Sequence, residues 1–179
     1  MSSAATGRVQ VYTGDGKGKT SAALGVTWRA LGAGRRVYFL QFLKGGIAPA
    51  EQELAERMAP QLIFHNLGHP CTLELLRGEP TEQDRRLAGE AWAVAREVLA
   101  DPGWDLVVLD EINNTVHLGL VALAELLAAL RARPAGMEVI CTGRSAPEAL
   151  RDYADLVTEM ICVKHPFDRG LPARRGLDF

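Results

Sequence analysis

The stretch Tyr12-Thr13-Gly14-Asp15-Gly16-Lys17-Gly18-Lys19-Thr20-Ser21 constrains this chain most, because an apolar run enters it and a helical pattern leaves it. A strand that passes through alternating glycines into a helix start forms an anion cradle, in which successive N–H groups converge without Cβ atoms between them. The helix adds its unpaired N–H groups and the positive end of its dipole. Lys19 is expected to reach phosphate oxygens, and the Thr20 hydroxyl to ligand a magnesium ion. Thr13 stands where the P-loop pattern G-x-x-x-x-G-K-[ST] begins with glycine, while Gly18-Lys19-Thr20 completes its end. The nucleotide-binding residues are therefore expected to be Thr13, Gly14, Asp15, Gly16, Lys17, Gly18, Lys19, Thr20 and Ser21.

A chain of 179 residues is long enough to bury a core without staples, and residues 1–179 read as a single domain. Cys71, Cys141 and Cys162 lie far apart, and their odd number argues against a disulfide framework. With 20 basic and 22 acidic residues the formal charge is −2, so no global field draws the chain to nucleic acid or to an anionic membrane. The apolar-rich run Leu118 to Leu130 is interrupted by Glu125 and is shorter than the ~20 residues a membrane span requires. The expectation is a soluble cytoplasmic protein.

Strand and helix signals then alternate. Strands are expected at Arg8 to Tyr12, Val37 to Phe42, Leu62 to His65, Trp104 to Asp110, Met137 to Thr142 and Leu156 to Val163. Helices are expected at Ser21 to Leu31, Ala50 to Met58, Thr81 to Leu99, Val121 to Arg133 and Pro147 to Tyr153. Near-continuous apolar strands between helices describe an α/β fold of the P-loop NTPase kind, a RecA-like, mostly parallel sheet with helices on both faces. Ligands collect at the carboxyl ends of such strands, which puts Lys44, Arg144 and His165 on the functional edge.

The run Leu106-Val107-Val108-Leu109-Asp110-Glu111 is the second chemical landmark. Adjacent carboxylates at the end of a buried strand bring negative charge beside the phosphates, the Walker B arrangement for holding magnesium. Thr20, Asp110 and Glu111 are thus the expected metal residues. His65, His69, His117 and His165 have no metal-ligand spacing. The residues alone leave open an ATPase or nucleotide-binding module, in which Glu111 would activate water.

The chain as a whole resembles the P-loop ATP:corrinoid adenosyltransferases. The resemblance rests on the glycine loop with Ala22-Ala23-Leu24-Gly25, then Gln41-Phe42-Leu43-Lys44-Gly45, Leu106 to Asn113 and Thr142-Gly143-Arg144. It continues through Asp155-Leu156-Val157-Thr158-Glu159-Met160, Val163-Lys164-His165-Pro166-Phe167 and Gly176-Leu177-Asp178-Phe179. The missing first glycine is that family's own form. The resemblance implies that Co(I) of a corrinoid attacks C5′ of ATP and releases triphosphate, with the nucleotide reversed in the loop relative to kinases. It implies a homodimer, magnesium (or manganese) as cofactor, and an electron-donating reductase as partner. Lys19 and Glu111 become the catalytic residues, and Lys44, Cys71, Leu73, Arg144 and His165 the corrinoid-side candidates. At one point the chain departs from the family: Pro70-Cys71-Thr72-Leu73-Glu74 stands where Gly-Phe-Thr-Trp-Glu is expected. Cys71 and Leu73 thereby replace the aromatic pair that would close over the cobalt's lower face.

Overall fold

Alternation within the strands decides which helices cover which face of the sheet. The structure, a computed structural model, describes residues 6–45, 50–68 and 79–177. Its strands are β1 (Val9–Thr13), β2 (Val37–Gln41), β3 (Leu62–Asn66), β4 (Leu106–Asp110), β5 (Glu138–Thr142) and β6 (Leu156–Glu159). The helices are α1 (Lys19–Gly32), α2 (Ala50–Met58), α3 (Glu82–Ala100), α4 (Ile112–His117), α5 (Leu123–Ala132) and α6 (Glu148–Tyr153). All strand pairs are parallel, in the order β3-β2-β4-β5-β1-β6. The expected α/β architecture is present.

On one face, Tyr38, Leu40, Val107, Leu109, Val139 and Cys141 pack with Ala91, Trp92 and Ala95 of α3 and with Leu126 and Leu130 of α5. On the other, Val37, Phe39, Leu106, Val108 and Ile140 pack with Ala23 and Leu31 of α1 and Ala55 of α2. Phe39 and Phe64 stack there with ring centroids 4.9 Å apart. Because β2 and β4 are covered on both sides, every one of their residues is buried, which is why neither strand alternates in polarity. Each large side chain so buried contributes about 1.5–3 kcal/mol. The Thr81 signal at the start of α3 forms a reciprocal capping box with Asp84, which satisfies orphan N–H groups at that helix end.

One helix goes beyond the expected elements, and two expected bounds need correction. The segment after Glu111 forms α4, a six-residue helix of sequence INNTVH; its mixture of polar and apolar residues gives no helical stripe to read. The following helix starts at Leu123, not Val121. β6 stops at Glu159, short of Val163. There the Met160 N–H still donates to Thr13 O at the end of β1, at 2.8 Å, while its carbonyl accepts from Gly16 N in the glycine loop, at 2.7 Å. Among the described residues, no helix is long and apolar enough to cross a membrane.

Candidate active site

Strand order places the ends of β1, β4 and β5 side by side, with Tyr12 opposite Thr142 and Leu109 opposite Cys141. The loop after β1, Gly14 to Gly18, is held open by two different devices. Gly18 caps α1 at φ 121°, a conformation closed to most side chains. Gly16 lies so near the Met160–Ile161 backbone that a Cβ would sit 2.8 Å from its atoms. Lys19 is buried, and its ammonium donates to Gly14 O and Gly16 O, both at 2.7 Å. Burial pushes the Lys19 pKa down, with the Glu111 charge opposing.

Asp110 ends β4 and is fully buried. An unpaired carboxylate there would cost several kcal/mol, and four donors meet it instead. Thr142 Oγ1 donates at 2.5 Å and Thr20 Oγ1 at 2.9 Å to one oxygen, and Gln41 Nε2 at 2.8 Å and Lys44 Nζ at 3.0 Å to the other. Burial works to raise its pKa, but the Lys44 charge and the bonds from Gln41 and Thr142 outweigh it and hold it below the usual carboxylate range. Gln41 is itself fixed, because Asn66 Nδ2 donates to its Oε1 at 3.1 Å.

Glu111 leaves the strand in the left-handed region, φ 66°, and begins α4. Its N–H donates to Thr142 Oγ1 at 3.0 Å, and its carboxylate accepts from Asn114 Nδ2 at 2.6 Å and pairs with Lys44 Nζ at 3.2 Å. Burial raises the Glu111 pKa; Lys44 opposes the rise and Asp110 adds to it. Burial alone would lower the Lys44 pKa, yet the two carboxylates raise it well above the ordinary lysine value.

The expected metal residues, Thr20, Asp110 and Glu111, are thus brought together from two chain segments. Their hydroxyl and carboxylate oxygens are hard donors that fit a magnesium-like ion, and the ammonium of Lys44 already sits among them at 2.9 Å from Thr20 Oγ1. Among the described residues no three His, Cys, Asp or Glu side chains form a metal-holding group. A hard cation held by one hydroxyl and two carboxylates would need further oxygens, of the kind that phosphates offer.

Other expected residues are placed differently. Thr13 Oγ1 accepts from Ala146 N at 3.1 Å, so it ties the loop after β5 to the end of β1. Asp15 and Arg144 are exposed and pair at 3.8 Å. Lys17 is exposed, with Nζ 3.4 Å from Leu177 O, and Ser21 is exposed on α1. Lys44, expected on the corrinoid side, directs its ammonium to Thr20, Asp110 and Glu111. His165 lies beyond β6, next to the short 3₁₀ turn Pro166–Arg169. Cys71 and Leu73 lie outside the described residues. Sequence reasoning missed Gln41, Thr142 and Asn114 as supports of the two carboxylates. The available signal was a polar residue closing the apolar run of each of two strands, Gln41 in β2 and Thr142 in β5.

Comparison with known proteins bears on the same segments. The family described as ATP:corrinoid adenosyltransferase BtuR/CobO/CobP matches residues 5–179. A corrinoid adenosyltransferase of Pseudomonas aeruginosa is 40% identical, over 97% of this chain and 84% of its own length. Corrinoid adenosyltransferase CobA of Salmonella typhimurium is 39% identical, over 97% of this chain and 86% of its own. Among solved structures, the flagellar accessory protein FlaH of Methanocaldococcus jannaschii superposes with a TM-score of 0.59 at 14% identity, covering 86% of this chain and 71% of that one. A likeness at that identity concerns the fold alone.

Proposed function

The chain belongs to the ATP:corrinoid adenosyltransferase family, and from that membership we propose that it moves the 5′-deoxyadenosyl group of ATP onto the Co(I) centre of a corrinoid. It is a transferase. In the proposed reaction a cobalt electron pair forms the Co–C5′ bond, and the C5′–O bond breaks with its pair leaving on triphosphate. Since the attacker belongs to the substrate, the protein has no nucleophile to activate. Its work is orientation and charge stabilisation.

The observation that carries this reading is the convergence of Lys19, Thr20, Asp110 and Glu111 at the mouth of the glycine loop, with Thr20 Oγ1 2.9 Å from Asp110. The loop N–H groups and the α1 N-terminus would hold the polyphosphate, with the ribose turned outward to the corrinoid. Lys19 would exchange its two loop carbonyls for phosphate oxygens and so meet the charge that grows on the leaving group. Thr20, Asp110 and Glu111 would hold a magnesium or manganese ion, which supplies further charge neutralisation when bound. Gln41, Thr142 and Asn114 keep those oxygens in register. Arg144 and His165, with Cys71 and Leu73, belong to the proposed corrinoid side. A homodimer, a reductase that delivers Co(I), and a cytoplasmic location are parts of the same proposal and rest on family membership.

Incubation with MgATP and a chemically reduced corrinoid tests it. The expected products are inorganic triphosphate and a light-sensitive alkylcobalt species. Corrinoid-independent release of ADP and phosphate would instead assign the chain to the hydrolytic class, with Glu111 acting on water.

A further inference from the structure

Lys44 has no role in the reaction just described, yet its ammonium occupies the centre of the metal constellation. It lies 2.9 Å from Thr20 Oγ1, 3.0 Å from Asp110 Oδ2 and 3.2 Å from Glu111 Oε1. These are the three side chains assigned to the divalent ion. Magnesium needs oxygens at about 2.0–2.1 Å, so the same donors must draw inward around it, and two cations cannot share that space.

The backbone commits Lys44 to this place. Leu43 is buried and left-handed at φ 55°, a conformation uncommon for a residue with a branched side chain. Lys44 N then donates to Phe42 O at 2.7 Å, closing a tight turn at the end of β2. The backbone of Lys44 abuts Gly68, where a Cβ would collide with it. A residue held this firmly is delivered to the site by the fold.

We propose that Lys44 is an internal counter-ion that occupies the divalent-cation position before nucleotide arrives and is exchanged for the metal when the polyphosphate enters. The inference rests on the metal residues assigned above. It has two physical parts. Without Lys44, the charges of buried Asp110 and partly buried Glu111 would face each other unneutralised, so the ammonium keeps the ligand set assembled. Phosphate oxygens then both complete the metal's shell and offer the displaced ammonium a new anionic partner. Binding is therefore ordered: the divalent ion enters with the nucleotide, not ahead of it.

The test is a Mn²⁺ titration followed by electron paramagnetic resonance on the full chain without nucleotide, comparing wild type with Lys44→Met and Lys44→Gln. Removing the competing charge should tighten nucleotide-free Mn²⁺ binding by roughly tenfold or more in whichever variant folds. The wild type should gain Mn²⁺ affinity sharply when a non-reactive ATP analogue is added, and the variants should gain much less. Unchanged or weaker nucleotide-free Mn²⁺ affinity in a folded variant overturns the role of Lys44 while leaving the metal site standing. Failure of wild type to bind Mn²⁺ with the analogue overturns the metal assignment and this inference with it. Neither result depends on whether a corrinoid is adenosylated.

Discussion

Thr20 and Asp110 are 90 residues apart in the chain, and the hydroxyl of one donates to the carboxylate of the other at 2.9 Å. That bond joins the start of α1 to the end of β4, and with it the glycine loop to the paired carboxylates. It also makes the Thr20 hydroxyl an acceptor for Lys44. One hydroxyl thus couples the loop, the carboxylate and the lysine.

Thr142 supports both carboxylate residues, as a donor to Asp110 and an acceptor from the Glu111 N–H. Thr142→Val keeps the shape, takes the acceptor from the Glu111 N–H and leaves Asp110 Oδ1 with Thr20 as its one remaining donor of the two. It should cost about 1–3 kcal/mol in denaturant unfolding and weaken Mn²⁺ binding in the presence of nucleotide. Unfolding curves and metal titrations that match wild type would show that Thr142 is a bystander.

Gly16→Ala places a methyl 2.8 Å from the carbonyl of Ile161. Neither neighbour is a flexible side chain, so the loop itself must move. Nucleotide affinity, read by calorimetry, should fall by on the order of tenfold or more, since misplacement of about 1 Å disrupts several N–H contacts at once. Global stability should change far less, because the strained contact is confined to the loop and the segment after β6.

Asp105 gives a pH signature remote from the site. The Arg36 backbone N–H and the Arg35 guanidinium donate to it at 2.8 Å, and these bonds, led by the Arg36 N–H, hold its carboxyl below the ordinary range. A depressed folded pKa means stabilisation that is full above the unfolded value, near 3.9, and is lost as pH falls through the folded value. Asp105→Asn should therefore flatten the acid limb of the stability curve. The effect should be small, under about 1 kcal/mol, because the Arg35 pair is solvent-exposed. An acid limb identical to wild type would exclude the linkage.

Cys141 is buried in β5, and burial pushes its thiol pKa up to about 12. Cys162 is exposed. Alkylation of the native protein at pH 8, mapped by mass spectrometry, should modify Cys162 and spare Cys141, which becomes reactive only on unfolding. Equal labelling of the two thiols would show that β5 opens readily.

Taken by itself, the sequence determined what local spacing can encode. The glycine loop running into its helix, and the paired carboxylates closing an apolar strand, are each a pattern of consecutive residues, so the chemistry of each follows from residue type and order. The capping box at Thr81 and Asp84 is legible for the same reason. Tertiary structure decided the rest. Which polar side chains neutralise Asp110 depends on β2 and β5 flanking β4, a pairing set by strand order across 69 and 32 residues of chain. No periodicity encodes that neighbour relation. Likewise β6 ends next to Met160, whose carbonyl accepts from Gly16 of the glycine loop, a contact made only once both segments are in place. Lys44 is the clearest case. In the sequence Lys44 reads only as a lysine after a strand on the functional edge, and it is the left-handed turn at Leu43, with Asp110 at the end of β4 and Glu111 just after it, that sets its ammonium between two carboxylates.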